Sequence, residues 1–187
     1  MIELRDISVG FGEKRVLCGL EAIWPDSGTI LLRGASGSGK TTLLRVLAGL
    51  LAPDTGMVSG LTGRRIGMVF QEDRLLPWKT ALENAALTGS AEDARCWLTE
   101  LGLGGSLDAL PETLSGGMKR RAALARALAH PFDVLVLDEA LTGLDDAAKA
   151  RCLAAIDRAV GPQKTLVMAC HDPAEAAALA ARTVPVA

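Results

Sequence analysis

No stretch of this 187-residue chain is apolar for long enough to cross a bilayer. Its start, Met1-Ile2-Glu3-Leu4-Arg5-Asp6, is polar and acidic where a secretory leader would be apolar. A charge excess is missing as well: 20 Lys and Arg stand against 22 Asp and Glu, a formal net charge of -2. That balance gives no long-range pull toward nucleic acid or anionic lipid, so a nucleic-acid partner is not expected. Four cysteines, Cys18, Cys96, Cys152 and Cys170, lie far apart with no C-x-x-C pair, which disfavours a zinc or redox centre and predicts small core residues in a reducing, cytoplasmic compartment. Internal repeats, low-complexity tracts and linkers are also lacking. With 49% hydrophobic residues, the length suits one core and therefore a single α/β domain spanning 1–187.

What the chain does have begins at residues 34–42, Gly34-Ala35-Ser36-Gly37-Ser38-Gly39-Lys40-Thr41-Thr42, which fill the pattern G-x-x-x-x-G-K-[ST]. An apolar run at 30–32 precedes it as a strand, and a helical run at 43–50 follows. Glycines here let successive backbone N–H groups turn toward an anion, and the helix that follows aims its positive dipole end at the same point. Lys40 then reaches the outer phosphates of a nucleotide, and the Thr41 hydroxyl holds Mg2+.

Other apolar runs end in single polar groups. Residues 66–70 end in Gln71; Val134-Leu135-Val136-Leu137 ends in Asp138 and Glu139; residues 165–170 end in His171. A run with no polar interruption suits a parallel strand buried on both faces. In an open parallel sheet, ligands sit beyond the carboxyl ends of the strands. If these runs are neighbours, the phosphate loop, Gln71, Asp138, Glu139 and His171 therefore share one pocket. Asp138 would complete the Mg2+ shell with Thr41, and Glu139 would orient or deprotonate a water facing the γ-phosphate.

Elsewhere, residues 3–9 alternate as a half-buried strand, and a turn through Gly10, Gly12 and Glu13-Lys14 leaves Phe11 exposed. Gln71-Glu72-Asp73-Arg74-Leu75-Leu76-Pro77-Trp78 reads as a surface loop with a greasy tip, the kind that contacts a partner. Helical spacing at 80–87 and 91–101 predicts a small helical subdomain, about 78–130. In it, Ser115 of Leu114-Ser115-Gly116-Gly117 caps a helix over 118–129. Lys119, Arg120 and Arg121 crowd the positive end of that helix, an arrangement that predicts an arriving anion. A helix at 146–160, a terminal helix at 174–182 and a short tail at 183–186 complete the reading.

Together these motifs resemble the ATP-binding cassette ATPases over nearly the whole chain. Residues 34–41 match the Walker A motif, Leu114-Ser115-Gly116-Gly117 the family signature, and 134–138 with Glu139 the Walker B motif and its catalytic glutamate. The resemblance implies a P-loop NTPase with a mostly parallel sheet flanked by helices, an N-terminal antiparallel β part and a short inserted helical subdomain. It makes Gln71 the glutamine-loop residue and a further metal contact, Leu144-Asp145 the dimer loop, His171 the switch histidine, and Phe11 the aromatic that stacks on adenine.

ATP in this family is clamped between the phosphate loop of one subunit and the signature of another, so a second ATPase subunit is implied. Met118 stands where glutamine is commonest. With Leu75-Leu76-Pro77-Trp78 it is similar to cassettes of nitrate, sulfonate and taurine importers, which implies a membrane permease partner met through Leu75, Leu76 and Trp78 and a peripheral place on the inner membrane face. An accessory ATPase for cofactor or protein assembly, or the ATPase chain of an exporter, fits the same motifs.

Overall fold

The computed structural model describes residues 1–170, 172–179 and 182–186. The chain runs β1 (Ile2–Phe11), β2 (Lys14–Trp24), β3 (Gly28–Arg33), α1 (Lys40–Leu47), β4 (Thr55–Ser59), β5 (Ile66–Val69), α2 (Ala81–Ala85), α3 (Ala91–Glu100), α4 (Gly116–Ala129), β6 (Val134–Asp138), α5 (Asp146–Val160), β7 (Thr165–Ala169), α6 (Pro173–Ala178) and β8 (Arg182–Pro185). Two sheets result. The first is antiparallel in the order β2-β1-β4, and the second is parallel in the order β5-β6-β7-β3-β8.

The two-residue repeat of a strand explains the layering. Ile30 and Leu32 of β3, Val134 and Val136 of β6 and Val167 of β7 pack toward the antiparallel sheet and α1. Leu31, Leu135, Leu137, Leu166 and Met168 point the other way, against α4 and α5. With both faces covered, strand polarity has no room to alternate, and β6 is buried throughout. Register then levels the strand ends: Asp138 pairs with Ala169, Ala169 with Leu32, and Val69 with Leu137. The carboxyl ends of β3, β5, β6 and β7 thus form one edge. The helices α2, α3 and α4 pack together beside this sheet, with a capping box at Thr80 and Glu83 starting α2 and Ser90 capping α3.

Several expectations are corrected. The terminal helix ends at Ala178, and the segment read as a tail is β8, a fifth strand paired in parallel with β3. A four-residue strand holding a proline is tolerated here because it lies at the sheet edge. Cys152 and Cys170 are buried, but Cys18 and Cys96 are exposed. Burial pushes the thiols of Cys152 and Cys170 up to about 11 and about 12. Of the loop tip, Pro77 and Trp78 are exposed, Trp78 at 71%, whereas Leu75 packs against the core. Among the described residues, no helix is long and apolar enough to span a membrane.

Candidate nucleotide site

The loop between β3 and α1 is held open by two close approaches. Gly39 adopts φ 96°, and a Cβ there would stand 2.8 Å from Leu17 Cδ2. A Cβ on Gly34 would strike Ser38 Oγ and the Val186 carbonyl. A side chain at either position would fill the cradle or strain the backbone. Inside it, Lys40, only 5% exposed, donates from Nζ to the carbonyls of Gly34 and Ala35, both at 2.9 Å. Ser38 Oγ is buried without a hydrogen-bond partner. An orphaned hydroxyl of that kind beside an ammonium and the amino end of a helix fits a phosphate oxygen.

At the end of β6, Thr41 Oγ1 donates to Asp138 Oδ1 at 3.0 Å. Burial, 2% exposed, holds the Asp138 carboxyl above the usual carboxylate range, against the pull of the Thr41 bond, with the neighbouring Glu139 charge pushing the same way as burial. A hydroxyl and a carboxylate oxygen are the hard donors that suit Mg2+ together with phosphate and water oxygens. Glu139 lies next in the chain, in the left-handed region at φ 49°, and its N–H donates to the Ala169 carbonyl at 3.0 Å. Gln71 Nε2 approaches Glu139 Oε2 at 3.4 Å.

A cavity of about 310 Å³ joins these groups, lined by Lys14, Val16, Ser36, Gly37, Gly39, Lys40, Thr41, Thr42, Gln71 and Glu139. Lys14 and Val16 were not expected there. The sequence signal was only a turn before β2, yet that turn brings the start of β2 over the loop, tethered by the Gly10 N–H donating to Asp54 Oδ2 at 2.8 Å. Phe11, at the end of β1, is 54% exposed beside this rim without lining the cavity. His171 lies outside the described residues.

The signature stands apart from that cavity. Ser115 caps α4, accepting from the Met118 N–H at 3.3 Å, and Ser115 and Gly116 face solvent. A Cβ on Gly117 would lie 3.4 Å from Leu144 Cδ2, so the Leu144-Asp145 loop meets the Leu114-Ser115-Gly116-Gly117 stretch within one chain. Asp145 caps α5, accepting from the Ala148 N–H at 2.8 Å.

Two of the three cations at the start of α4, Arg120 and Arg121, differ from expectation. Arg121 donates to the carbonyls of Gly117 at 3.2 Å and Leu101 at 2.9 Å, and Arg120 faces the segment after β5. Their charges are absorbed by carbonyls and a carboxylate inside the chain rather than left waiting for an anion.

A family model described as "ABC transporter" matches residues 21–142. The chain belongs to the ABC transporter family. This cassette is an ATPase, and its relatives sharpen that statement. It is 44% identical over 190 residues to an aliphatic sulfonates import ATP-binding protein, SsuB 1, of Agrobacterium fabrum, covering 96% of this chain and 68% of that one. It is 41% identical to the SsuB 1 protein of Pseudomonas syringae pv. tomato, covering 100% of this chain and 70% of that one. Among solved structures it is similar to the dimeric ATP-binding cassette MJ0796 bound to ADP and Pi, with a TM-score of 0.86 and 26% identity over 100% of this chain and 94% of that one.

Proposed function

We propose that this cassette is the ATPase subunit of a bacterial importer, working as a dimer in which each ATP lies between the 34–42 loop of one copy and the signature of the other. The observation that carries the proposal is the separation just described. On the loop side Lys40, Thr41 and Glu139 line one cavity, with Asp138 bonded to Thr41, while Ser115 and Gly116 face solvent at the amino end of α4, outside it. A helix amino end suits an anion, and this one is exposed to an anion arriving from outside the chain.

In this reading Lys40 exchanges its two loop carbonyls for β- and γ-phosphate oxygens, and Ser38 supplies a further hydroxyl. Thr41, Asp138 and Gln71 hold Mg2+, which when bound shields charge on the phosphates. Glu139, beside Gln71, receives a proton from the attacking water. His171 assists at the γ-phosphate, Phe11 stacks on adenine, and Leu144 and Asp145 meet the partner copy.

The cargo class is supported by the relatives, which are named for import of aliphatic sulfonates. A permease partner is supported by the exposed Trp78 next to the half-buried Leu75 and Leu76 in the same loop, a tip that would seat the protein peripherally at the inner membrane face.

Glu139→Gln tests the chemistry. ATP binding should persist while hydrolysis falls by about 10²- to 10⁴-fold, and closed dimer should accumulate on a sizing column. Undiminished turnover would remove Glu139 from the role. Trp78→Ser tests the coupling: the ATPase should survive while copurification with the permease is lost.

A further inference from the structure

The segment that carries Gln71 is not held by strand pairing, because β5 stops at Val69. Two guanidiniums of α4 hold it instead. Arg120 Nη1 donates to the Gln71 carbonyl and, at 3.4 Å, to the Phe70 carbonyl, while its Nε stands 3.3 Å from Asp73 Oδ1. Arg126 donates to the carbonyls of Asp73 at 3.0 Å and Arg74 at 2.8 Å. Arg74 itself turns at φ 47° and lays its guanidinium 4.0 Å from the centre of the Phe70 ring. Asp73 Oδ1 is buried, and its contact with Arg120 lacks the alignment of a hydrogen bond. The carboxylate therefore depends on the charges of Arg120, which it meets directly, and of the nearby Arg126, and the Gln71 backbone depends on the donors of Arg120.

We propose that Arg120 is a positioning residue for ATP hydrolysis: by gripping the Gln71 carbonyl and Asp73 it sets where the Gln71 amide stands beside Glu139. The inference rests on the proposed roles of Gln71 and Glu139. Arg126 grips only the far side of the segment, so Arg120 is the one cation acting directly on the backbone of Gln71 among the described residues. Because α4 begins at the signature, the same helix that receives the partner's phosphate holds the Gln71 backbone of its own site. A group misplaced by about 1 Å can cost up to 10²-fold in rate, so a loosened grip should appear in kcat and leave nucleotide affinity alone.

The test is steady-state ATPase kinetics with thermal unfolding on Arg120→Met, the Arg120→Met/Asp73→Asn pair, Arg120→Lys, Gln71→Ala and the Arg120→Met/Gln71→Ala pair. Arg120→Met should lower kcat about tenfold with KM for ATP within about twofold. The Asp73→Asn pair removes the stranded carboxylate and should recover the unfolding midpoint without recovering kcat. Arg120→Lys should keep the midpoint and recover kcat only in part. In the Gln71→Ala background Arg120→Met should have no further effect.

An equal drop with and without Gln71 would overturn the proposal, as would a kcat that returns with the midpoint. Glu139→Gln in the same assay separates the two levels. Normal turnover there sinks the catalytic reading itself, whereas its loss together with a normal Arg120→Met sinks only the positioning role.

Discussion

Two stretches of this chain pair glycines with a helix amino end, and they are built in opposite ways. Residues 34–42 sit between β3 and α1, with Lys40 5% exposed and already bonded to two carbonyls, and Thr41 bonded to Asp138. The Lys40 ammonium and the Thr41 hydroxyl are thus bonded from within, whereas the buried Ser38 hydroxyl is not. The signature opens α4 at the surface. Its serine is spent on the helix's own Met118 N–H, Arg121 on the Gly117 and Leu101 carbonyls, and no strand leads into it. In the proposed dimer the first is the part of a site that closes on a ligand, and the second is the half supplied to the partner. The contrast shows why net charge says little here, since neither stretch depends on a surplus of cations at the surface.

The contrast breaks most easily by mixing two dead proteins. Lys40→Ala should abolish tight ATP binding, and Gly117→Asp should leave it intact while placing a carboxylate where the partner's γ-phosphate arrives. Each alone should lose at least about 10²-fold in turnover. Mixed in equal amounts, half the dimers carry both defects in one composite site and none in the other, so roughly a quarter of wild-type activity should return. If nothing returns, the two stretches do not share a nucleotide across subunits.

A smaller effect separates the two glycine environments. Gly39→Ala meets both a positive φ and Leu17, and should cost about 1–3 kcal/mol in denaturant unfolding. Gly116→Ala meets nothing within 4 Å in a helix, and should change stability by no more than about 0.5 kcal/mol. Its turnover should nevertheless fall about tenfold, because the added methyl crowds a backbone that a phosphate has to approach. Equal stability changes at the two positions would erase the distinction.

How far these features are legible without coordinates depends on how local their cause is. Buried parallel strands declare themselves because 134–137 has no polar interruption, and the groups at the run ends follow from strand direction alone. β2 is longer than the Val16-Leu17 signal because a register shift and the positive φ of Gly19 interrupt its alternation. Cys18 faces out by the strand pleat next to buried Leu17, and Cys96 by its place between buried Ala94 and Leu98 on α3. Arg120 and Arg126 bond to residues about fifty positions away, and such contacts leave no periodic trace in the sequence. β8 hides because a short edge strand with a proline looks like any loop.

The smallest expected effect uses the other end of β6. Asp133, just before the strand, accepts from the Arg65 N–H at 2.8 Å and from its guanidinium at 3.1 and 3.2 Å. These bonds, side chain first, lower its carboxyl from 3.8 to about 2. A carboxyl held below its unfolded value stabilises the fold above that value and loses the contribution as pH falls toward the lowered one. Arg65→Met should therefore narrow its stability gap to the wild type as the solution is taken from pH 5 down to pH 2, at an exposed site where the gap is small throughout. Turnover at neutral pH should not move. Asp133 precedes β6 and Glu139 follows it, and of the two only Glu139 lines the cavity. A change in kcat on Arg65→Met would mean that the amino edge of the sheet also shapes the site, and the division between a catalytic edge and a structural edge would have to be redrawn.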